Sequence, residues 1–439
     1  MKVCKFGGTS MADASSILKS ANIVKSDPER KYVVVSAPGK VNGKEKVTDM
    51  LISCYETVKK GISCKDIFAK IKERFETIVK ELKLNFDLTE KLEKVYQDIE
   101  NGASRDYAAS RGEYLMGIVF AELLEYEFVD AENIIKFFPD KSFDSEYTND
   151  YTQKVLSELK EKGAVVPGFY GRTPDGAICT FSRGGSDVTG SILARAVKAD
   201  LYENWTDVNG FMMCDPRIVP NPQKIDILTY KELRELSYMG ATVLHPESIF
   251  PVRRADIPIN IRNTFEPENS GTMIVPSKNY QGQSARIITG IAGKKDFTAI
   301  YIEKSMMNSE LGFARKALSV LEHYDISIEH MPTGIDTLSL VIESHQLEGK
   351  LDHVLARLQA ILNPDHIEVV EHLSLIATVG HGMSKRKGTA AKLFSALYSA
   401  DINIRMIDQG SSELNIIVGV DNSDFEKAIA AIYNAFVNK

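Results

Sequence analysis

Through the first two-thirds of the chain, short β-branched runs alternate with longer stretches whose apolar residues recur at helical spacing. Lys2–Phe6, Tyr32–Ser36, Ala164–Tyr170, Ala199–Trp205 and Ile257–Asn263 read as strands. Ala14–Lys25, one long stretch from Val47 to Glu125, and Ser186–Ala199 read as helices. The strand Tyr32-Val33-Val34-Val35 is apolar on both faces, as in a largely parallel sheet covered by helices. Such sheets leave ligand sites beyond the carboxyl ends of their strands.

The last third compares with itself at a fixed offset. Met307, Gly312, Ala314, Lys316, Ser319, Leu321, Asp325, Ile326, Ile328, Gly334 and Leu338 recur as Met383, Gly388, Ala390, Lys392, Ser395, Leu397, Asp401, Ile402, Ile404, Gly410 and Leu414. Each pair is 76 positions apart (401 less 325). Two copies of a small βαββ-type module are expected after the α/β part. A loop of one shape placed twice before a helix is a structural duplication or a seat for a small polar ligand.

Composition narrows the function. At 439 residues the chain has room for two or three domains. Its 44% hydrophobic and 26% charged content suits a soluble globular protein. Acidic residues outnumber basic ones 60 to 53, a net charge of −7 that argues against a nucleic-acid partner. Cys4, Cys54, Cys64, Cys179 and Cys214 lack C-x-x-C spacing, so neither a disulfide framework nor a structural zinc site is expected, and a reducing cytoplasm fits. Neither a signal-type leader nor an 18-residue apolar run is seen, and no membrane role is expected.

The candidate chemistry sits at glycine turns. Lys5-Phe6-Gly7-Gly8-Thr9-Ser10 reads as a strand end, a turn and a helix start near Thr9–Asp13, a geometry that offers N–H groups to an anion. The glycines alone suit an ordinary tight turn before a capped helix. Lys5 shifts the reading, because a cation at the end of a buried strand must lose hydration and is better explained by a phosphate partner. Gly39–Lys44 does not make a Walker loop, since its spacing is wrong and Glu45 follows it, and no G-x-G-x-x-G follows a strand. Ser182-Arg183-Gly184-Gly185-Ser186-Asp187 is a second glycine-rich helix start, whose alternative is a solvated arginine beside an N-cap. Glu113, in Tyr107–Leu115, reads alone as a first-turn acid that complements the helix dipole. Asn204–Gly210 with Asp215-Pro216-Arg217 forms a polar loop at a strand end. Gly240–Pro246 opens another helix, and His245 in it reads as structural.

Together KFGGTS, VVVSAPGK at 33–40, Thr48-Asp49, RGE at 111–113, FSRGGSD at 181–187, WTDVNG with DPR, and GATVLHP at 240–246 resemble the aspartate kinases of the amino acid kinase family. The repeated tail resembles their paired ACT regulatory domains. The resemblance implies an α/β three-layer sandwich with a mainly parallel central sheet, followed by two ferredoxin-like βαββαβ modules. It divides the chain into a catalytic domain at 1–291 and ACT domains at 292–371 and 372–439, with interleaving of the two left open. The implied activity is transfer of the γ-phosphoryl of ATP to the side-chain carboxylate of L-aspartate, the first step toward lysine, threonine and methionine. The nearest alternatives are an amino-acid sensor with impaired catalysis and a kinase for another carboxylate; a fused homoserine dehydrogenase is not expected.

By the same resemblance Lys5 contacts the transferring group, Phe6, Gly7 and Gly8 contribute to the phosphate site, and Asp187 orients the lysine or the metal. Arg183 grips the α-carboxylate of aspartate, Glu113 holds its ammonium, and Ser36, Thr48 and Ser186 line that pocket. Thr206, Asp207, Met212, Arg217, Thr242 and Val243 fall where the family binds ATP, with Mg²⁺ carried mainly by the nucleotide phosphates and no dedicated metal ligands in the chain. Two positions depart from the pattern: relatives often have a lysine at Thr242 and a tyrosine at Met212. An amino-acid effector, lysine or threonine, is implied near Met307, Glu310, Phe313, Ile328, Glu329, Gly334 and Ile335, between subunits of a homo-oligomer joined through its ACT domains. Gly334-Ile335 stands where some lysine-sensitive relatives have Ser-Glu.

Overall fold

The computed structural model describes residues 1–41, 43, 45–159, 162–182, 184–241, 244, 246–280, 286–384 and 386–437. These form two compact units: Met1–Phe211 with Lys224–Tyr230 and Val243–Gln281, and Met212–Gln223 with Lys231–Thr242 and Gly282–Lys439.

In the first unit the strands are β1 (Lys2–Phe6), β2 (Arg30–Val35), β3 (Glu127–Phe128), β4 (Ala164–Pro167), β5 (Tyr170–Arg172), β6 (Ile178–Thr180), β7 (Leu201–Thr206), β8 (Ile227–Thr229), β9 (Ile259–Asn263) and β10 (Thr272–Val275). Eight of them make one sheet in the order β3-β4-β2-β1-β7-β9-β10-β8, parallel except where β10 meets β9. Phe6 is in register with Val35 on one side and Trp205 on the other. The loops that leave β1, β2 and β7 therefore start side by side on one edge, where parallel strands place ligands.

The period of two along β1 sends Cys4 and Phe6 to one face and Lys5 to the other. On the first face Cys4, Phe6, Val33, Val35 and Trp205 pack with Ile17, Leu51, Leu115 and Phe120 of three covering helices, Ala14–Lys25, Val47–Lys59 and Arg105–Leu124. Helix Gly185–Ala196 lies against β1, β2 and β7, and Lys5 points toward it.

The expected single helical stretch from Val47 to Glu125 is four helices: Val47–Lys59, Lys65–Glu81, Thr89–Glu100 and Arg105–Leu124. The breaks fall at left-handed residues, Gly61 (φ 77°), Lys83 (φ 55°) and Gly102 (φ 87°), which no α-helix accommodates. Likewise Ala164–Tyr170 divides into β4 and β5, separated by Phe169 at φ 85°.

The second unit holds β11 (Gly290–Glu303), β12 (Thr337–Glu343), β13 (His366–Val379), β14 (Met406–Asp408) and β15 (Asn415–Asp421), an antiparallel sheet in the order β12-β11-β13-β15-β14. Helices Phe313–His323 and Thr389–Ser399 are the repeated helices. Each starts after a glycine in the left-handed region, Gly312 (φ 76°) and Gly388 (φ 86°), which explains why both copies keep glycine there. A second helix follows in each copy, Leu351–Leu362 and Phe425–Val437, so each repeat is longer than βαββ. The copies interleave: Gly290–Lys294 pairs with Leu375–Val379 of the second copy, and Phe297–Glu303 pairs with β12 of the first.

Candidate active site

Lys5 and Asn204 are cross-strand partners on β1 and β7, so their side chains share one face. Asp187 reaches them from the first turn of helix Gly185–Ala196. Lys5 Nζ lies 2.7 Å from Asp187 Oδ1, and Asn204 Nδ2 donates to that same oxygen at 2.9 Å. Asn204 Oδ1 is 3.5 Å from Lys5 Nζ. The lysine is buried yet carries a counter-ion and a neutral dipole, which meets the cost of placing a cation there.

The glycine turn begins directly after this pair. The Gly7 N–H donates to Trp205 O at 3.0 Å, because the β1–β7 ladder runs one residue beyond Phe6. That differs from the expectation that Gly7 offers its N–H to a phosphate. Phe6 stacks its ring on Trp205 in the core, and its carbonyl accepts from Ser36 N–H at 3.1 Å. Its side chain therefore faces away from the turn. Gly8 opens the short helical turn Thr9–Met11. Thr9 Oγ1 donates to Asp207 Oδ2 at 3.0 Å, and Thr206 Oγ1 donates to the other oxygen at 3.2 Å. Thr206 and Asp207 thus stand beside the turn.

On the other flank, the loop after β2 carries Ser36 and leads to helix Val47–Lys59, whose second residue is Thr48. Helix Arg105–Leu124 packs against that loop at Gly112, where a Cβ would lie 2.7 Å from Ala37 Cβ and 3.3 Å from Val47 Cγ1. Glu113 therefore stands in the third turn, not the first, and the helix dipole does not account for it. It is buried, its Oε2 has no hydrogen-bond partner, and desolvation pushes its carboxyl up to about 8, against the opposing pull of backbone hydrogen bonds at Ala37 and its own residue. A buried carboxyl with one unengaged oxygen has acceptor capacity left for a further donor. Ser186 sits against Gly168, where a Cβ would lie 2.6 Å from Ser186 Oγ.

Arg183, Thr242, Val243 and His245 lie outside the described residues. Met212 and Arg217 belong to the second unit, where Ile291 N–H donates to Met213 O at 2.6 Å and Gln223 N–H donates to Tyr433 Oη at 2.9 Å. Arg217 is exposed and chelated by both oxygens of Asp215. Also in that unit, Met307 and Phe313 are in the core of the first repeat, with Ile328 packed against it. Glu310 is held by Lys304 at 2.5 Å and Lys316 at 2.6 Å. Glu329 N–H donates to Val341 O and Gly334 N–H to Thr337 O, and Ile335 is 72% exposed.

Sequence reasoning placed Asn204 only within a polar loop at a strand end and gave it no role of its own, whereas it lies inside β7. Its one signal is the alternation that buries Trp205 on one face of β7 and so turns Asn204 to the face of Lys5.

With this geometry the arrangement can hold an anion beside a buried ammonium and receive a cation at a buried carboxyl. Among proteins already known, the model of the amino acid kinase family matches residues 1–263, and an ACT domain model matches residues 376–436. Aspartokinase 3 of Bacillus subtilis (strain 168) is 39% identical over 99% of this chain and 98% of its own length. The crystal structure of Clostridium acetobutylicum aspartate kinase superimposes with a TM-score of 0.93 at 54% identity, covering 99% of this chain and 100% of that one. Escherichia coli aspartokinase III in complex with aspartate and ADP (R-state) superimposes at 0.77 with 26% identity, over 99% of each chain.

Proposed function

The chain belongs to the amino acid kinase family and, within it, to the aspartokinases, and from that membership we infer that it transfers the γ-phosphoryl group of ATP to the side-chain carboxylate of L-aspartate. The observation that carries this reading is the buried Lys5–Asp187 pair at the mouth of the glycine turn, with the unengaged Glu113 carboxyl in the same unit. The acceptor is a carboxylate with an ordinary pKa near ~3.9, already ionised at neutral pH, so no general base is needed. The difficulty is repulsion: two unit charges about 4 Å apart repel by about 4 kcal/mol near a protein surface, and phosphate carries more than one. Catalysis is therefore positioning and charge compensation.

Lys5 supplies the fixed positive charge for the transferring group, and Asp187 with Asn204 holds its ammonium in place. Gly8, Thr206 and Asp207 border the phosphates. Glu113 receives the substrate ammonium, with Ser36, Thr48 and Ser186 around it and Arg183 for the α-carboxylate. The family resemblance assigns Met212, Arg217, Thr242 and Val243 to ATP. Mg²⁺ would be carried mainly on the triphosphate, with Asp187 as an outlying carboxylate. When bound, the ion neutralises phosphate charge.

The catalytic chemistry is assigned to residues 1–291 and regulation to the two ACT modules, 292–371 and 372–439. The effector is lysine or threonine, seated around Met307–Phe313 and Ile328–Ile335. Escherichia coli aspartokinase III has been solved with lysine and aspartate in its T-state. Met306, Leu311 and Ile335 are 71%, 95% and 72% exposed, an apolar set that suits a second copy of the chain. A cytoplasmic enzyme fits, and among the described residues no helix is long and apolar enough to cross a membrane.

The test is chemical trapping. Incubation with Mg-ATP, L-aspartate and hydroxylamine should give aspartyl hydroxamate, the product of an acyl phosphate, and its absence would overturn the reading.

A further inference from the structure

Arg74 takes no part in the chemistry above, yet it is 5% exposed and sits at the seam between the two flanks of the site. It projects from helix Lys65–Glu81. Its Nη2 donates to Ala12 O at 3.0 Å and to Gly39 O, and its Nη1 donates to Glu45 O. Among the described residues no carboxylate pairs with it. Burial alone lowers its pKa, with only the charge of Asp13 opposing, so the site carries the cost of a desolvated guanidinium. What it gains is three carbonyls from three separate segments.

Those segments frame the active site. Ala12 ends the turn that begins at Gly8 and Thr9. Gly39 lies in the loop after Ser36, and its N–H donates to Gly8 O at 2.9 Å. The contact is close enough that a Cβ on Gly39 would lie 2.6 Å from Gly8 C, so the two glycine backbones touch directly. Glu45 leads into helix Val47–Lys59, which carries Thr48 and whose Val47 N–H donates to Pro38 O at 3.1 Å. The phosphate flank and the aspartate flank thus meet at Gly8–Gly39, and Arg74 spans that meeting from behind.

We propose that Arg74 is a positioning residue: its planar fork locks the turn at residues 8–12 to the backbone at Gly39 and at Glu45 and so fixes the distance between the bound nucleotide and the bound aspartate. A lysine cannot replace it, because one ammonium on a flexible stem does not reproduce a rigid fork across three acceptors. The inference rests on the reading that the turn faces phosphate and Ser36–Thr48 faces aspartate.

The experiment compares wild type, Arg74→Lys, Gly39→Ala and the double variant for melting temperature, kcat and both KM values. Misplacement of reacting groups by about 1 Å costs on the order of 10²-fold in rate. Arg74→Lys, assayed well below its melting temperature, should therefore lose about 10²-fold in kcat while both KM values change less than about threefold. Gly39→Ala opens the same seam from the other side, so the double variant should be little worse than the poorer single one. Wild-type kcat in Arg74→Lys, or losses that multiply in the double variant, overturns the proposal. Should Arg74→Lys fail to fold, Gly39→Ala decides alone: reduced kcat supports the proposal and wild-type kcat overturns it. The hydroxamate formed by wild type separates the two readings, since a wild type that forms none overturns both, whereas an active wild type matched by the variants overturns this one only.

Discussion

Asp187 Oδ1 stands 2.7 Å from Lys5 Nζ and accepts a second hydrogen bond from Asn204 at 2.9 Å. One carboxylate oxygen thus fixes the position of the ammonium and is itself fixed by a strand residue that is the cross-strand neighbour of the lysine. A lysine side chain has enough rotamer freedom that such a clamp decides where its charge sits.

Asp187→Asn keeps the shape of the clamp and removes its charge. We expect kcat to fall by about 10²-fold, in the range for losing one preorganised charge contact. Steady-state kinetics with a coupled ADP assay checks it, and a variant with undiminished kcat would show that Lys5 needs no counter-ion.

Glu113 predicts a pH dependence. Its ordinary value is 4.5 and burial raises it to about 8, so between those values the folded chain holds a proton that the unfolded chain has lost. The folded state therefore loses stability as pH rises through that window. In Glu113→Gln the loss is absent, and the melting-temperature gap between variant and wild type should widen in the variant's favour from pH 5 to 8. Substrate binding runs the other way: an ammonium pairs with the ionised carboxyl, so KM for aspartate should fall from pH 6 to 8 and binding at pH 7 should release a proton. Calorimetry in buffers of different ionisation enthalpy measures that proton; none released would remove Glu113 from the aspartate site.

Below the active-site edge, Glu203 is 1% exposed and takes both oxygens to Arg30 at 2.8 and 3.2 Å, while Trp205 Nε1 donates to it at 3.0 Å. Arg262 lies 3.9 Å away. Glu203→Ala leaves buried guanidinium charge without its partner and should cost about 3–5 kcal/mol. Urea denaturation reads this directly, and a loss under about 1 kcal/mol would mean that solvent or a neighbour replaces the carboxylate.

In the regulatory repeat, Glu310 is bracketed by Lys304 and Lys316, which hold its carboxyl below the usual range. Lysine and threonine added separately should distinguish the effector, and Glu310→Gln should move the midpoint of inhibition by about tenfold by freeing both lysines. Activity indifferent to either amino acid up to millimolar levels would reject feedback through this loop.

Much of the fold was legible because its signals are local. The two-sided apolar run at Tyr32–Val35 marked a covered parallel sheet, and the 76-residue offset marked the duplicated tail, down to the glycines that start both repeated helices. The helix break at Lys83 and the strand break at Phe169 were not legible, because nothing in those side chains announces a left-handed backbone. The strand exchange by Gly290–Lys294 was hidden as well, since pairing with Leu375–Val379 depends on contacts far apart in sequence. At the candidate site, the sequence singled out Lys5 from its place at a strand end. Glu113 was proposed for the site only through the family resemblance, and its position within the helix was misjudged by two turns. Arg74 was missed: an arginine among the charged residues of an amphipathic helix looks like any solvated one until its three carbonyl partners are seen.

The most direct measurement is the turnover of Lys5→Ala in the hydroxylamine assay with saturating Mg-ATP and aspartate. If the Lys5 ammonium offsets the charge of the transferring phosphoryl, kcat falls by about 10²–10³-fold in a protein that melts as a folded chain. Wild-type turnover in that variant would contradict the account.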